Sequence, residues 1–251
     1  MPRPLARILA FAAISMGLLV GQPAHAESFT PQQRAEIVNI IRDAMKNDPS
    51  ILRDAVVGLQ ADDAKKQSDA TAATLAQLAP QLTANPADPI AGNAGSRLTL
   101  VEFYDVRCPY CRKMLPTLAA LLKANPDLRL VYKDLPVLGP ASVLGARALL
   151  AAQKQGGYQK LHDAIMAGPP EVTEDSLHAM TSKQGLDWAR LQSDMKAPDV
   201  QTRINANLSI ARKLDLQGTP AYVMGGTLLS GAVELSELQE AVDAARKHAG
   251  G

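Results

Sequence analysis

Two residues of this sequence, Cys108 and Cys111, are the best suited to do chemistry, and no other cysteine occurs among its 251 residues. A disulfide that closes so short a loop removes little chain entropy from the unfolded state, so its stabilising effect should be small. A zinc site would need two further cysteine or histidine ligands, and the four histidines show no suitable spacing. The pair is therefore interpreted as a reactive dithiol.

The residues around the pair predict that it lies at the start of a helix. Residues 98–104 form a β-rich, mostly apolar run, and residues 112–123 carry leucines at helical spacing. A cysteine between such a strand and such a helix faces free N–H groups and the positive end of the helix dipole, which favours thiolate over thiol. We therefore predict that Cys108 is the nucleophile and that Cys111, one turn further along, resolves mixed disulfides. Pro109 suits the first helical position, where its missing donor costs nothing.

A carboxylate and an ammonium group are candidates for supporting the pair. Glu102 lies on the strand that leads to Cys108, so a core-facing carboxylate there could take or return the proton of Cys111. Lys133, at the end of the next predicted strand, could then pair with Glu102. The alternative for both residues is an ordinary ion pair at the surface.

A Thr-Pro dipeptide precedes a predicted hairpin of two short strands around Gly225-Gly226. We expect the bond between Thr219 and Pro220 to be cis, although a proline at the start of a strand is often innocuous. The backbone of Thr219 would then lie beside Cys108, where an extended polypeptide could dock as an added strand.

The first residues predict an export signal. Arg3 and Arg7 give a basic start, residues 8–20 form an apolar run, and Ala24-His25-Ala26 fits a small-x-small cleavage site. We expect cleavage after Ala26 and a mature chain outside the cytoplasm, in an oxidising space. An uncleaved anchor is the alternative, but the apolar run is shorter than the roughly 20 residues that span a bilayer.

Residues 27–92 are predicted to form amphipathic helices followed by a linker. The residues from Thr30 to Gln33 have the pattern of a helix start, and Asn47-Asp48-Pro49 ends this helix and caps the next. Each helix carries a narrow apolar stripe, which either the rest of the chain or further copies of it must cover. The turn-rich residues 85–96 are interpreted as the linker.

From residue 93 to residue 251 the pattern predicts one α/β domain. The strand before Cys108, the helix after it and a strand at 128–133 form a β–α–β unit with a parallel strand pair. Several helices follow over about 140–214, and a final helix follows the hairpin. The near balance of 26 basic and 25 acidic residues and an aromatic content of 4% argue against a nucleic-acid partner.

Several motifs occur in the order found in the thioredoxin superfamily, which this sequence resembles. They are the segment Val101–Asp105, the motif Cys108-Pro109-Tyr110-Cys111, the helix proline Pro116 and the tripeptide Gly218-Thr219-Pro220. The helical stretch between the central strands resembles the DsbA-like branch. The runs Asn85–Asn93 and Tyr132–Pro136, together with the N-terminal helices, resemble the ScsC-type disulfide isomerases.

The resemblance implies a thioredoxin-like fold with a helical insertion, preceded by an N-terminal amphipathic helical segment. It implies that Cys108 attacks, that Cys111 resolves and that Glu102 is the buried carboxylate of the site. Thr219 and Pro220 would form the cis-proline loop that binds substrate, and the Pro109-Tyr110 dipeptide would help to tune the redox potential. Threonine before that proline is similar to isomerases and ScsC-like proteins, whereas DsbA-type oxidases more often carry valine.

The ScsC-type resemblance also implies partners and a location. It suggests a periplasmic disulfide isomerase or reductase that acts on exported proteins, assembles as a trimer through its N-terminal helices and is kept reduced by a membrane thiol reductase. Two alternatives stay open. One is a monomeric DsbA-like oxidase served by a membrane oxidase, and the other is a Cu(I)-binding protein of copper tolerance, since paired thiolates suit Cu(I). No other cofactor or metal is expected.

Overall fold

The structure, a computed structural model, describes residues 29–249, with side chains up to residue 247. The predicted signal peptide lies outside the described residues. The chain divides into two compact units between Gln60 and Ala61. Of the helices in the described part, none is both long enough and apolar enough to cross a membrane.

The first unit contains helix α1 (Pro31–Asn47) and the beginning of helix α2 (Ser50–Thr83). Thr30 and Gln33 form the predicted capping box, each side chain accepting a hydrogen bond from the backbone N–H of the other residue. Asp48 accepts hydrogen bonds from the N–H and hydroxyl of Ser50 and so caps α2. No residue of α1 is buried. Exposed apolar side chains of this unit are Phe29, Val38, Ile40, Ile41, Met45, Ile51, Leu52, Val56, Val57 and Leu59.

The second unit has the predicted thioredoxin-like fold with a helical insertion. Its mixed five-stranded sheet has the order β1-β3-β2-β4-β5, in which β2 and β3 are parallel and the other pairs are antiparallel. The elements are β1 (Ile90–Gly92), β2 (Thr99–Tyr104), α3 (Pro109–Ala124), β3 (Arg129–Asp134), α4 (Pro140–Gln153), α5 (Tyr158–Ala167), α6 (Glu174–Lys183), α7 (Trp188–Met195), α8 (Pro198–Lys213), β4 (Ala221–Met224), β5 (Thr227–Ser230) and α9 (Leu235–Ala249). Helices α4 to α8 form the insertion.

The second unit begins earlier than the sequence predicted. Leu75, Leu78 and Leu82 of α2 are buried in a core cluster with residues of β2, β3 and β4. The predicted linker contains the edge strand β1, which pairs antiparallel with β3. A strand of only three residues between turn-forming residues is too short to be recognised from the sequence. The spacing of the α2 leucines predicts a helix face but not the surface against which that face packs.

The sheet separates two cores, because successive side chains of a strand point to opposite faces. Leu100, Tyr104, Tyr132 and Tyr222 belong to the larger core, together with residues of α3 and the insertion. The smaller core holds Val101, Phe103, Val131, Val223 and the α2 leucines. Because of this alternation, polar side chains of neighbouring strands can contact each other only if they lie on the same face of the sheet.

Candidate active site

The two cysteines lie at the start of α3. Cys108 is the N-cap residue, Pro109 occupies the first helical position, and Cys111 lies inside the first turn. Both thiols are free. Cys111 is completely buried, whereas Cys108 keeps 4% of its surface exposed. Both members of the dithiol are therefore buried, and Cys108 keeps the small exposed surface.

The loop between α8 and β4 approaches Cys108. The Thr219–Pro220 peptide bond is cis, and the Cys108 thiol donates a hydrogen bond of 3.1 Å to the carbonyl oxygen of Thr219. Thr219 is half-buried and Pro220 is buried. Tyr110, between the cysteines, is exposed. The geometry brings together the Cys108–Cys111 pair and the Thr-Pro loop, two features that were predicted separately from the sequence.

Glu102 is buried on β2, on the face of the sheet that α3 covers. The hydroxyl of Tyr222 on β4 donates a hydrogen bond of 3.2 Å to Glu102 Oε1. Burial raises the pKa of Glu102 to about 8, although this hydrogen bond opposes the rise. Glu102 therefore exchanges its proton close to neutral pH, as a group that serves a thiol should.

The Cys111 thiol does not ionise readily unless a base accepts its proton. Burial raises its pKa well above the ordinary value, and the nearby charges of Cys108 and Glu102 raise it further. Two negative charges so close in a buried site repel each other, so Cys111 and Glu102 favour states in which they hold at least one proton between them. This coupling suits transfer of a proton from one group to the other.

The predicted pairing of Lys133 with Glu102 does not occur. In the β2–β3 register Lys133 lies opposite Phe103, while Glu102 lies opposite Tyr132, so the two side chains point to opposite faces of the sheet. Lys133 instead forms a buried ion pair with Asp88 and donates a hydrogen bond of 2.7 Å to the carbonyl of Gln81. The alternative of a surface ion pair fails too, because Glu102 and Lys133 are both buried.

Asp105 fixes the loop that leads from β2 to Cys108. Its carboxylate accepts hydrogen bonds from the N–H groups of Arg107, Val137 and Leu138, at 2.8, 2.8 and 3.0 Å. The loop is thereby attached to the segment that follows β3. Val137 and Leu138 have exposed apolar side chains.

Arg112 joins the start of α3 to the insertion. Its guanidinium donates to the carbonyls of Val106, Met166 and Gly168, with distances between 2.6 and 3.0 Å. Arg112, Asp105 and Tyr222 were not among the site residues predicted from the sequence. Asp105 stands directly after a strand, where a turn-forming carboxylate is common, but nothing in the sequence indicated the partners of the other two.

The comparisons with known proteins identify the family of this chain. A family model described as DSBA-like thioredoxin domain matches residues 99–243. The chain belongs to this family. The match begins at the first residue of β2 and ends within α9, so it includes the dithiol, the whole insertion and the cis-proline loop.

Two solved structures are similar to this chain over most of their length. A thioredoxin-like oxidoreductase from Silicibacter pomeroyi is 42% identical, with a TM-score of 0.65, over 67% of this chain and 97% of that one. ScsC of Proteus mirabilis in a transitional conformation is 30% identical, with a TM-score of 0.62, over 87% of this chain and 97% of that one.

Curated relatives match less of their own length. A Na(+)/H(+) antiporter NhaA from Salinispora tropica is 28% identical over 163 residues, which is 62% of this chain but 25% of the antiporter. A probable disulfide bond formation protein D from Bacillus cereus is 26% identical over 61% of this chain and 76% of its own. The chain thus spans about a quarter of the antiporter relatives.

Proposed function

We propose that this chain is a thiol–disulfide oxidoreductase of DsbA/ScsC type that acts chiefly as an isomerase or reductase of exported proteins. The observation that carries the proposal is the arrangement of the dithiol. Cys108 lies at the helix N-terminus beside the Thr219 carbonyl, while Cys111 is buried in the neighbourhood of Glu102. A nucleophile at a helix N-terminus, a shielded second thiol and a nearby proton acceptor are the groups that thiol–disulfide exchange requires.

The exchange runs in two steps. The Cys108 thiolate attacks one sulfur of a client disulfide, and the other client sulfur leaves as a thiolate. In resolution, Cys111 gives its proton to the Glu102 carboxylate and attacks Cys108 Sγ, which forms the Cys108–Cys111 disulfide and releases the second client sulfur as a thiolate. In isomerisation, a client thiolate attacks the mixed disulfide instead and restores the Cys108 thiolate.

The protonation of Glu102 favours isomerisation at neutral pH. Its pKa of about 8 means that most of the carboxyl is protonated at pH 7 and accepts no proton from Cys111. Resolution by Cys111 is then slow, so a mixed disulfide persists long enough for the client to rearrange. At higher pH the carboxylate ionises, and resolution, which reduces the client, becomes faster.

The apolar surface of the first unit supports assembly of several copies. Ten large apolar side chains there are exposed, and an apolar helix surface of this kind gains stability when further helices cover it. We propose a homo-oligomer, a trimer as the ScsC-type resemblance implies, which would gather several dithiols around one client. The same resemblance, with the predicted signal, supports the periplasm as the location and a membrane thiol reductase as the electron source.

An oxidase is the second candidate, favoured by the similarity to the probable disulfide bond formation protein D. In that case the reduced dithiol must be the stabilised form, and a membrane oxidase would reoxidise it. Cu(I) binding by the two free thiols is a further proposal that is compatible with either activity.

Reactivation of a scrambled multi-disulfide enzyme in glutathione buffer tests the proposal. The mature chain, residues 27–251, is compared with a variant in which Ile41→Glu and Leu52→Glu place charges in the exposed apolar surface. The control is Glu36→Gln with Asp54→Asn, two polar changes on the same exposed helices. We expect the mature chain and the control to sediment as oligomers and to reactivate the enzyme, and the charged variant to be monomeric and to reactivate it poorly. Rapid oxidation of a reduced client without reactivation would favour the oxidase.

A further inference from the structure

Tyr222 is a buried polar side chain for which no role was predicted from the sequence. It lies on β4, directly opposite Glu102 in the antiparallel β2–β4 pair. Directly opposed residues point to the same face of a sheet, so the phenol ring extends beside the carboxylate. Tyr222 is completely buried, and its hydroxyl lies 3.2 Å from Glu102 Oε1.

When Glu102 is ionised, this hydrogen bond can have only one direction, because a carboxylate accepts and cannot donate. Burial beside Glu102 and the two cysteines raises the pKa of Tyr222 far above its ordinary value, so the hydroxyl keeps its proton throughout the working range. Among the described residues, Tyr222 is the one side chain that donates a hydrogen bond to Glu102. A donor stabilises the ionised carboxylate and opposes the effect of burial.

We propose that Tyr222 is a positioning residue for proton transfer between Cys111 and Glu102, in which its hydroxyl holds the carboxylate in place and stabilises the ionised form. The inference rests on the proposed function, since it assumes that Glu102 accepts the Cys111 proton during resolution. Tyr222 itself forms and breaks no bond. It determines how much of Glu102 is available as a base at a given pH.

Loss of the Tyr222 hydroxyl should affect the two steps of the exchange differently. Without the hydroxyl, the Glu102 carboxylate is harder to ionise, so resolution by Cys111 needs a higher pH. Attack by Cys108 on the client does not involve Glu102 and should keep its rate. If Tyr222 had a purely structural role, its loss would not slow resolution selectively while leaving the attack by Cys108 unchanged.

Tyr132 supplies a matched control. It lies opposite Glu102 on the other neighbouring strand, β3, and is buried on the same face of the sheet. Within the described part of the chain its hydroxyl makes no hydrogen bond to Glu102. Tyr132→Phe therefore removes a buried hydroxyl from the same surroundings without removing the donor to the carboxylate.

The experiment uses the full mature chain in its reduced form and a small peptide disulfide whose two fluorescent halves quench each other. The first half leaves when Cys108 attacks, which relieves the quenching, and the second leaves when Cys111 resolves the mixed disulfide, which lowers its fluorescence anisotropy. Stopped-flow intensity and anisotropy therefore report the two rates separately between pH 6 and pH 10. The unmodified chain should show a resolution rate that rises with pH around the pKa of Glu102. Tyr222→Phe should move this rise upward by about one pH unit and slow resolution about tenfold near pH 7. Tyr132→Phe should stay within about twofold.

Two further variants separate the inference from the proposed function. Glu102→Gln should abolish the pH-dependent rise, and adding Tyr222→Phe to Glu102→Gln should change nothing more. If Glu102→Gln slows resolution while Tyr222→Phe keeps the original pH profile, the role of Tyr222 is overturned and that of Glu102 stands. If Tyr222→Phe slows resolution equally in the presence and absence of Glu102, its effect is structural and the inference fails. An unchanged profile in Glu102→Gln would overturn the role of Glu102 itself.

Discussion

Two buried carboxylates on the same face of the sheet differ in how the protein satisfies them. Glu102 on β2 accepts one tyrosine hydroxyl, from Tyr222. Asp134 on β3 accepts two, from Tyr104 at 2.9 Å and Tyr158 at 3.1 Å. Burial raises the pKa of both groups, to about 8 for Glu102 and to about 6 for Asp134.

The difference shows how a sheet can keep one carboxylate ionised and another ready to titrate. Two hydrogen-bond donors and the positive charge of Arg203 oppose the effect of burial on Asp134. Glu102 has a single donor against the same kind of burial. The well-satisfied carboxylate has a structural role, whereas the poorly satisfied one can exchange a proton near neutral pH.

Substitution of the two cysteines should have the largest effect, because Glu102 can act in catalysis only if the thiols are present. Cys108→Ser should abolish exchange, because no nucleophile remains to attack the client. Cys111→Ser should leave Cys108 reactive and accumulate mixed disulfides with clients, visible on a non-reducing gel and removed by dithiothreitol. A Cys111→Ser chain that forms no such adducts would contradict the assigned order of attack.

Glu102→Gln should change how stability depends on pH. The folded chain keeps the Glu102 proton up to about pH 8, whereas the unfolded chain loses it near the ordinary pKa of 4.5, so the folded state binds more protons between these values. The stability of the unmodified reduced chain therefore falls as pH rises through this window, by on the order of 4 to 5 kcal/mol from this group. Urea unfolding at pH 5 and pH 8.5 should show that Glu102→Gln loses most of this decrease. An equal decrease in both chains would mean that Glu102 is not the responsible group.

Lys133→Met tests a third buried carboxylate, Asp88, which is satisfied by an ion pair. Removal of Lys133 leaves the Asp88 charge buried without this partner and should lower the free energy of unfolding by about 3–5 kcal/mol at pH 7. Because Lys133 points away from Glu102, the pH profile of resolution in the folded variant should stay unchanged. A shifted profile would indicate that Lys133 acts on Glu102 after all.

Tyr158→Phe is the counterpart of Tyr222→Phe at the structural carboxylate. It removes one of the two donors to Asp134 and should destabilise the chain by about 1–2 kcal/mol at neutral pH. The resolution rate should stay within about twofold at every pH. If Tyr158→Phe shifted the kinetic pH profile as much as Tyr222→Phe does, the distinction between a structural Asp134 and a proton-exchanging Glu102 would be wrong.

Local signals in the sequence predicted much of this molecule. The capping box at Thr30, the strand that leads into Cys108 and the hairpin around Gly225 each depend on residues close together in the chain. Such features follow from local propensities and turn chemistry, so they can be recognised without the fold.

The partners across the sheet could not be predicted in the same way. Glu102 and Lys133 lie on neighbouring strands, but a register in which Lys133 faces Phe103 separates them by the thickness of the sheet. A shift of one residue would have put them together, and the sequence does not contain that information. Tyr222 was missed for the same reason, since 120 residues separate it from Glu102.

The buried Glu102 also limits how this chain can be engineered. A library selected only for resistance to heat should enrich glutamine, methionine or leucine at position 102, because each avoids an ionisable group in an apolar site. Such variants would tolerate higher temperatures and yet release clients slowly. A selection for robust catalysts of this type must therefore score turnover in every round, or it will discard the base that the chemistry needs.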